Sequence, residues 1–258
     1  MVVCEMKIKA KVNCNDEEYI TDEIDISPIT QEQISNYCTD GYLDIFQNKH
    51  RVPDVWRYIV KVGNAGIEII SVDKTIQISE FNDRPATDAE ENNILLILES
   101  PHKSEYKQDK KKFTLKPKAP AQGYTGRNIE SYIGDILNKI ADIPNGSYHL
   151  IISNPIPYLC SLGIFTDKLN TKVRDNVWNA LWNIANDKGE YVIREEFISQ
   201  CKNYRPKYII NCCTANLKNN VTDCLIVNGF NQNLYTAHHP SAWKYQAREE
   251  LTILKVKN

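Results

Sequence analysis

Four short apolar runs in this chain each end in a polar cluster. Ile94-Leu95-Leu96-Ile97-Leu98 runs into Glu99-Ser100-Pro101-His102, and Tyr148-His149-Leu150-Ile151-Ile152 into Ser153-Asn154-Pro155. Lys207-Tyr208-Ile209-Ile210 runs into Asn211-Cys212-Cys213-Thr214, and Asn233-Leu234-Tyr235-Thr236-Ala237 into His238-His239-Pro240-Ser241. Runs of this length and branching read as strands buried on both faces. With helical spacing between them, a parallel α/β sheet is their natural arrangement. Ligands of such sheets sit outside the carboxyl ends of the strands. A carboxylate, an amide and a histidine are therefore expected along one edge.

At 258 residues the chain can bury a full core, and its formal charge of -2 means that affinity for a polyanion must come from local patches. No apolar run reaches the length of a membrane span, and Met1-Val2-Val3-Cys4-Glu5-Met6-Lys7 lacks the layout of a signal peptide. The expectation is a soluble, cytoplasmic protein with no membrane partner. Eight cysteines are scattered without a C-x-x-C pair, which reads as buried thiols acting as small hydrophobes rather than metal ligands.

The first eighty or so residues differ from the rest. Lys7 to Val12 alternates like a half-exposed strand. Ser27-Pro28 and Thr30 look like the start of a helix running to about His50. Tyr58–Val62 and Ile67–Val72 read as a hairpin across Gly63-Asn64-Ala65-Gly66. Residues 1–87 are thus expected as a small N-terminal α+β appendage, or an extra layer on the main sheet, before a main domain of residues 88–258. Within that domain helices are expected from Asn128 to about Ala141, Thr171 to about Asn186 and Ile193 to about Tyr204, with only a short link between the last two strands. Trp178, Leu181, Trp182 and Ala185 recur at helical spacing and read as core.

The stretch from His102 to Gly126 reads as a long loop marked by charge. Lys103, Lys107, Lys110, Lys111, Lys112, Lys116 and Lys118, with Arg127 beyond, face only Glu105 and Asp109. A solvated loop would look the same, but this one directly follows the first strand-end motif, where it could track a phosphate backbone.

These segments together resemble the uracil-DNA glycosylase superfamily. Glu99, Pro101 and Glu105 in Glu99-Ser100-Pro101-His102-Lys103-Ser104-Glu105 match the spacing of the family-four motif G-E-A-P-G-x-x-E. Gln122-Gly123-Tyr124-Thr125-Gly126-Arg127 is similar to G-x-P-F-V-G-R, with Tyr124 for the phenylalanine. Asn154 stands where the family's base-reading asparagine sits, Tyr204 to Ile210 looks like R-P-K-x-I-V, and His239-Pro240-Ser241 matches the closing H-P-S. The resemblance covers roughly residues 90–250 in order. It implies a three-layer α/β fold with a central four-stranded parallel sheet, and DNA as partner.

It also implies a chemistry. Breaking an N-glycosidic bond develops positive charge on the sugar and negative charge on the departing base. A carboxylate can stabilise the first and orient water, while a histidine donates to the second. Glu99 takes the carboxylate role, with Glu105 as the other candidate, and His239 is the donor. Asn154 can pair with a pyrimidine edge through one amide, and Tyr124 can stack on a flipped base. Pro101 and His102 border the base pocket. Lys103, Lys110, Lys111, Lys112, Arg127, Ser241, Lys244 and Arg248 are the expected DNA contacts. Trp243 falls where relatives carry a residue that wedges into the duplex, or else is a packed helix tryptophan.

The chain also departs from the pattern. Leu98 replaces the leading glycine, and His102 replaces the second, a position that holds a tyrosine guarding against the thymine methyl in another branch. The iron–sulfur cysteines of family four are not recognisable: Cys160 and Cys201 fall near but not on their positions, and the N-terminal C-x-x-C is absent. The chemistry needs no metal, and no cofactor or metal is expected. The reading is a DNA glycosylase acting on a modified, bulky pyrimidine such as glucosylated hydroxymethylcytosine, in phage defence. A uracil-excising repair glycosylase and a non-catalytic nucleic-acid-binding protein of the same fold are the alternatives. A protein–protein interaction module is a third, though it gives no reason for the strand-end residues to meet.

Overall fold

The computed structural model describes residues 5–71, 92–109, 111–141, 143–166, 170–246 and 251–256. Fifteen strands are defined among them. The first eight are β1 (Lys7–Ile8), β2 (Ala10–Cys14), β3 (Glu17–Ile20), β4 (Ile24–Asp25), β5 (Cys38–Thr39), β6 (Tyr42–Phe46), β7 (Val55–Gly63) and β8 (Gly66–Ser71). The others are β9 (Asn92–Ile97), β10 (Tyr106–Asp109), β11 (Thr114–Pro117), β12 (Gly146–Ser153), β13 (Pro206–Asn211), β14 (Leu234–Ala237) and β15 (Ile253–Lys255). The helices are α1 (Gln31–Ile34), α2 (Tyr124–Leu137), α3 (Thr171–Trp182), α4 (Val192–Tyr204), α5 (Ala215–Val227) and α6 (Trp243–Gln246).

The chain divides into two compact units, each built from separated stretches. One comprises Met1–Val52, Ser100–Lys118 and Pro155–Ser199; the other comprises Pro53–Glu99, Ala119–Asn154 and Gln200–Asn258. The boundary expected near residue 87 lies outside the described residues.

The second unit holds a seven-stranded mixed sheet in the order β15-β14-β13-β9-β12-β7-β8. Its four central strands, β14, β13, β9 and β12, run parallel and are the four apolar runs of the sequence. The hairpin expected across Gly63 and Gly66 forms, and it adds antiparallel to β12 as the edge of this sheet. On one face Ile94, Leu96, Leu150, Ile152 and Ile210 pack against Ile129, Ile133, Ile136 and Leu137 of α2. Both faces of β9 are buried, which is why its sequence is a continuous apolar run and not an alternation.

The first unit contains a four-stranded sheet in the order β3-β2-β6-β5 and the two-stranded pairs β1-β4 and β10-β11. The alternation from Lys7 to Val12 forms β1 and β2, with Ala10, Val12 and Cys14 turned inward. The helix expected from Thr30 to His50 stops at Ile34. Thr30 and Gln33 do form a capping box, but Asp40 and Gly41, at φ 53 and 82, then close a two-residue turn between β5 and β6. Two successive left-handed residues suit a tight hairpin and end any helix. Trp178 and Trp182 stack at 4.9 Å between ring centroids inside this unit, as their spacing predicts.

Three further expectations are corrected. The helix expected from Asn128 begins at Tyr124, after Gly123 in a left-handed conformation with φ 87. The short link between the last two strands is helix α5, whose Leu217, Val221 and Leu225 recur every four residues. Its three asparagines are poor helix formers and obscured that period. The lysine-rich stretch is not an irregular loop throughout, since β10 and β11 pair within it. The described cysteines are free thiols, five of the seven buried. Burial pushes Cys14 and Cys212 up to about 12.

Candidate functional site

The register of the parallel strands fixes which residues share their carboxyl edge. Ser153 pairs with Ile97, Ile97 with Asn211, and Asn211 with Thr236, so these four form one row across the sheet. Glu99 lies two residues beyond that row, Asn154 one, Cys213 two and His239 three. The chain leaves β9 toward β12 on one side and returns to β13 on the other. The switch point of the topology is therefore between β9 and β13, the position where open α/β sheets bind ligands.

Glu99 stands at that switch point. It is buried, and its Oε2 accepts the backbone N–H of Thr214 at 3.1 Å, the residue that caps α5. The positive end of a helix favours a negative charge in this position. The β13–α5 connection is held rigid around it. Asn211 Oδ1 accepts the N–H of Cys213, Asn211 Nδ2 donates to Thr222 Oγ1 and to the Lys218 carbonyl, and Cys213 Sγ donates to the Leu98 carbonyl. Leu98 itself turns into the core.

Asn154 is 4 % exposed, and neither its Oδ1 nor its Nδ2 has a hydrogen-bond partner. Burying an amide with both ends unsatisfied costs several kcal/mol in principle, of order 1–3 per group by mutational measures. Its neighbour is treated differently: Ser153 Oγ donates to buried Asp54 at 2.9 Å, and Tyr204 donates to the same carboxylate oxygen at 2.8 Å. One residue is fully used by the fold and the next presents an unused donor and acceptor.

His239 caps a 3-10 turn over Pro240–Ala242. Its Nδ1 accepts the backbone N–H of Ser241 at 3.3 Å and faces Ser241 Oγ at 2.9 Å. A backbone N–H can only donate, so Nδ1 is the acceptor and Nε2 carries the proton of the neutral ring. The motif is anchored by Asn128 of α2, whose Nδ2 donates to the carbonyls of Pro240 at 2.8 Å and Ser241 at 3.3 Å. Asn128 is a site residue the sequence reading missed; its signal was a polar residue placed on the apolar side of α2. Trp243 takes the packed alternative. It is fully buried in the core and donates from Nε1 to the His238 carbonyl, so an exposed wedge at this position is corrected. Lys244 is exposed, and Arg248 lies outside the described residues.

Tyr124 opens α2 and is 39 % exposed, with the Arg127 guanidinium 5.5 Å from its ring centre. Tyr245 is a further exposed aromatic, one that sequence reading did not single out. The backbone beneath is tight. A Cβ on Gly126 would meet the Ala121 carbonyl oxygen at 1.9 Å, and Arg57 of β7 donates to the carbonyls of Pro120 and Ala121.

The remaining expected residues belong to the other unit. Pro101 is buried, and His102 caps a 3-10 turn over Lys103–Glu105. Glu105 is buried and accepts the His102 backbone N–H at 3.2 Å, closing a capping box. His102 Nδ1 accepts the Ser104 N–H, so His-x-Ser recurs here in the geometry seen at His239. His102 is exposed, and partial desolvation with the Lys103 ammonium lowers it from the ordinary histidine value. Lys111 and Lys112 are exposed, Lys103 is half-buried, and Lys110 lies outside the described residues. The structure therefore aligns Glu99, Asn154 and His239 on one sheet edge, with Tyr124 and Arg127 on the helix that anchors the His239 turn. The chain matches no family model, no curated protein and no solved structure.

Proposed function

We propose that this chain is a DNA glycosylase that hydrolyses the bond between deoxyribose and a modified pyrimidine, leaving an abasic site. The observation that carries the reading is Asn154, an amide buried with both polar atoms unused at the carboxyl edge that also bears Glu99. A pyrimidine edge offers the matching acceptor and donor. Four adjacent parallel strands within the larger mixed sheet agree with the four-stranded parallel sheet that the likeness to the uracil-DNA glycosylase superfamily implies.

In this mechanism the C1′–N bond breaks, and the base leaves with the bonding electrons. Glu99 offsets the positive charge that develops on the sugar, orients the water that bonds to C1′, and takes up the proton that this water loses. His239 donates a hydrogen bond from Nε2 to the departing base, the assignment that its Nδ1 contacts require. Tyr124 stacks on the extruded base, and Arg127 reaches a phosphate.

A bulky substrate such as glucosylated hydroxymethylcytosine, in phage defence, is preferred because Leu98 and His102 depart from the uracil-reading pattern. Uracil is the second reading, favoured by the donor–acceptor pair of Asn154, which serves it equally well. The test is abasic-site formation on DNAs carrying uracil, cytosine or glucosylated hydroxymethylcytosine, read as alkali-labile breaks. Breaks confined to the glucosylated base support the preferred substrate, and breaks at uracil support the second. No breaks on any of them, with tight binding, leave a non-catalytic nucleic-acid-binding protein.

A further inference from the structure

Residues 103–118 contain seven lysines against Glu105 and Asp109. The pairing of β10 with β11 sets Lys107 directly opposite Lys116, and both are exposed, while Tyr106 and Leu115 on the other face are buried. Like charges directly opposed across a two-stranded ribbon weaken it, and such ribbons are marginal to begin with. Two acids lie in the same stretch. Glu105 is buried, and Asp109 Oδ1 accepts the backbone N–H groups of Lys111 and Lys112 at the turn. Among the described residues no carboxylate pairs with Lys107, Lys111, Lys112 or Lys116.

The tip carries a second departure from ordinary hairpin design. Phe113 occupies a left-handed conformation, φ 50, where glycine or asparagine is the usual choice, and it is 44 % exposed. One side of its ring is held edge-on by Tyr37 at 5.9 Å, and Tyr37 is held in turn by Phe165 at 5.0 Å. The ring thus rests against Tyr37 while much of its surface stays exposed.

We infer that the β10–β11 hairpin grips an unpaired nucleic-acid strand, with Lys107, Lys116, Lys111 and Lys112 on successive phosphates and Phe113 stacked on a base. Repeated anionic groups beside flat π faces are what a strand supplies and an acidic peptide does not. The inference rests on the reading that this protein works on DNA, but it requires no base to be removed.

The experiment uses the full chain and a labelled oligothymidine, which contains no base that the proposed reaction removes, titrated between 50 and 200 mM salt. The double variant K107Q/K116Q is expected to flatten the slope of log K against log salt by about 1.4, two phosphates at the single-strand value. Phe113→Ala is expected to weaken binding about tenfold with the slope unchanged, and Phe113→Tyr, which keeps the ring, to restore it. Wild-type binding that neither variant alters overturns the inference, as does a wild-type chain that binds no strand. Base release by the wild-type chain, followed in parallel, judges the proposed function alone.

Discussion

The Glu99 carboxylate accepts the Thr214 backbone N–H at 3.1 Å, joining the end of the first parallel strand to the cap of the helix that follows the third. This bond gives Glu99 a structural duty alongside its proposed one, and the two separate by substitution. Glutamine keeps an acceptor oxygen for Thr214 but carries no charge. Glu99→Gln should cost less than about 1 kcal/mol of stability, the scale of a charge at a helix N-terminus. It should lower base release by about 10²–10⁴-fold with DNA binding retained. Single-turnover base release and a denaturant titration of the same variant check both halves. A Glu99→Gln variant with full activity excludes the carboxylate from the reaction.

Asn154 reverses the usual relation between a buried polar residue and stability. Its amide has no partner in the fold, so replacing it with leucine of similar shape removes a penalty instead of a bond. Asn154→Leu should leave stability unchanged or raise it by about 1 kcal/mol, while base release is lost. Urea denaturation decides the first point. A loss above 2 kcal/mol would mean that the amide serves the fold.

For His239 the two ring nitrogens can be tested apart. Nδ1 accepts from Ser241, a contact that the side-chain oxygen of asparagine can reproduce as a cap. Nothing in asparagine reproduces a donor at the Nε2 position. His239→Asn should therefore melt close to wild type and release base about 10²–10⁴-fold more slowly. Wild-type release by this variant would remove His239 from the mechanism.

The anchor beneath that turn is Asn128. Asn128→Ala removes the side-chain donor shared by the Pro240 and Ser241 carbonyls, leaving Pro240 only the Trp243 backbone N–H, and should cost about 1–3 kcal/mol. Asn128→Asp should cost more, because a carboxylate can only accept and would face two carbonyl oxygens. Thermal melts of the two variants give the order, and slower base release at saturating enzyme would follow from a displaced His239.

What the sequence made legible follows from where the physics is local. The parallel strands could be read because burial on both faces leaves continuous apolar runs, and the edge residues followed from the strand ends. Helix α5 could not, since Leu217, Val221 and Leu225 are embedded among asparagines whose helix stability comes from packing. The helix start at Thr30 was legible, but a long continuation is ruled out by Asp40 and Gly41, a turn whose effect depends on β6 pairing with β2. Asn128 and the Glu99–Thr214 bond join segments about a hundred residues apart, and no spacing in the chain announces such contacts. Trp243 was ambiguous because an exposed wedge and a core tryptophan have the same sequence.

A pH dependence of stability follows from His50. The ring is 7 % exposed, and its Nδ1 lies 3.1 Å from the Ile45 carbonyl, which can only accept, so Nδ1 carries the proton. Burial, with the Lys49 ammonium adding to it, holds this histidine below its ordinary value, and His102 is lowered in the same direction. In the unfolded chain both take up protons near pH 6.5. Below that pH the unfolded state binds more protons than the folded state, so unfolding becomes easier. The stabilisation is fully present above about pH 7 and is lost as pH falls through 6.5 toward the folded-state values. The melting temperature should therefore drop between pH 7.5 and 5.5. His50→Gln, which keeps a donor for the Ile45 carbonyl, should shrink the drop, and adding His102→Gln should shrink it further. A drop of the same size in the double variant would assign it to other groups.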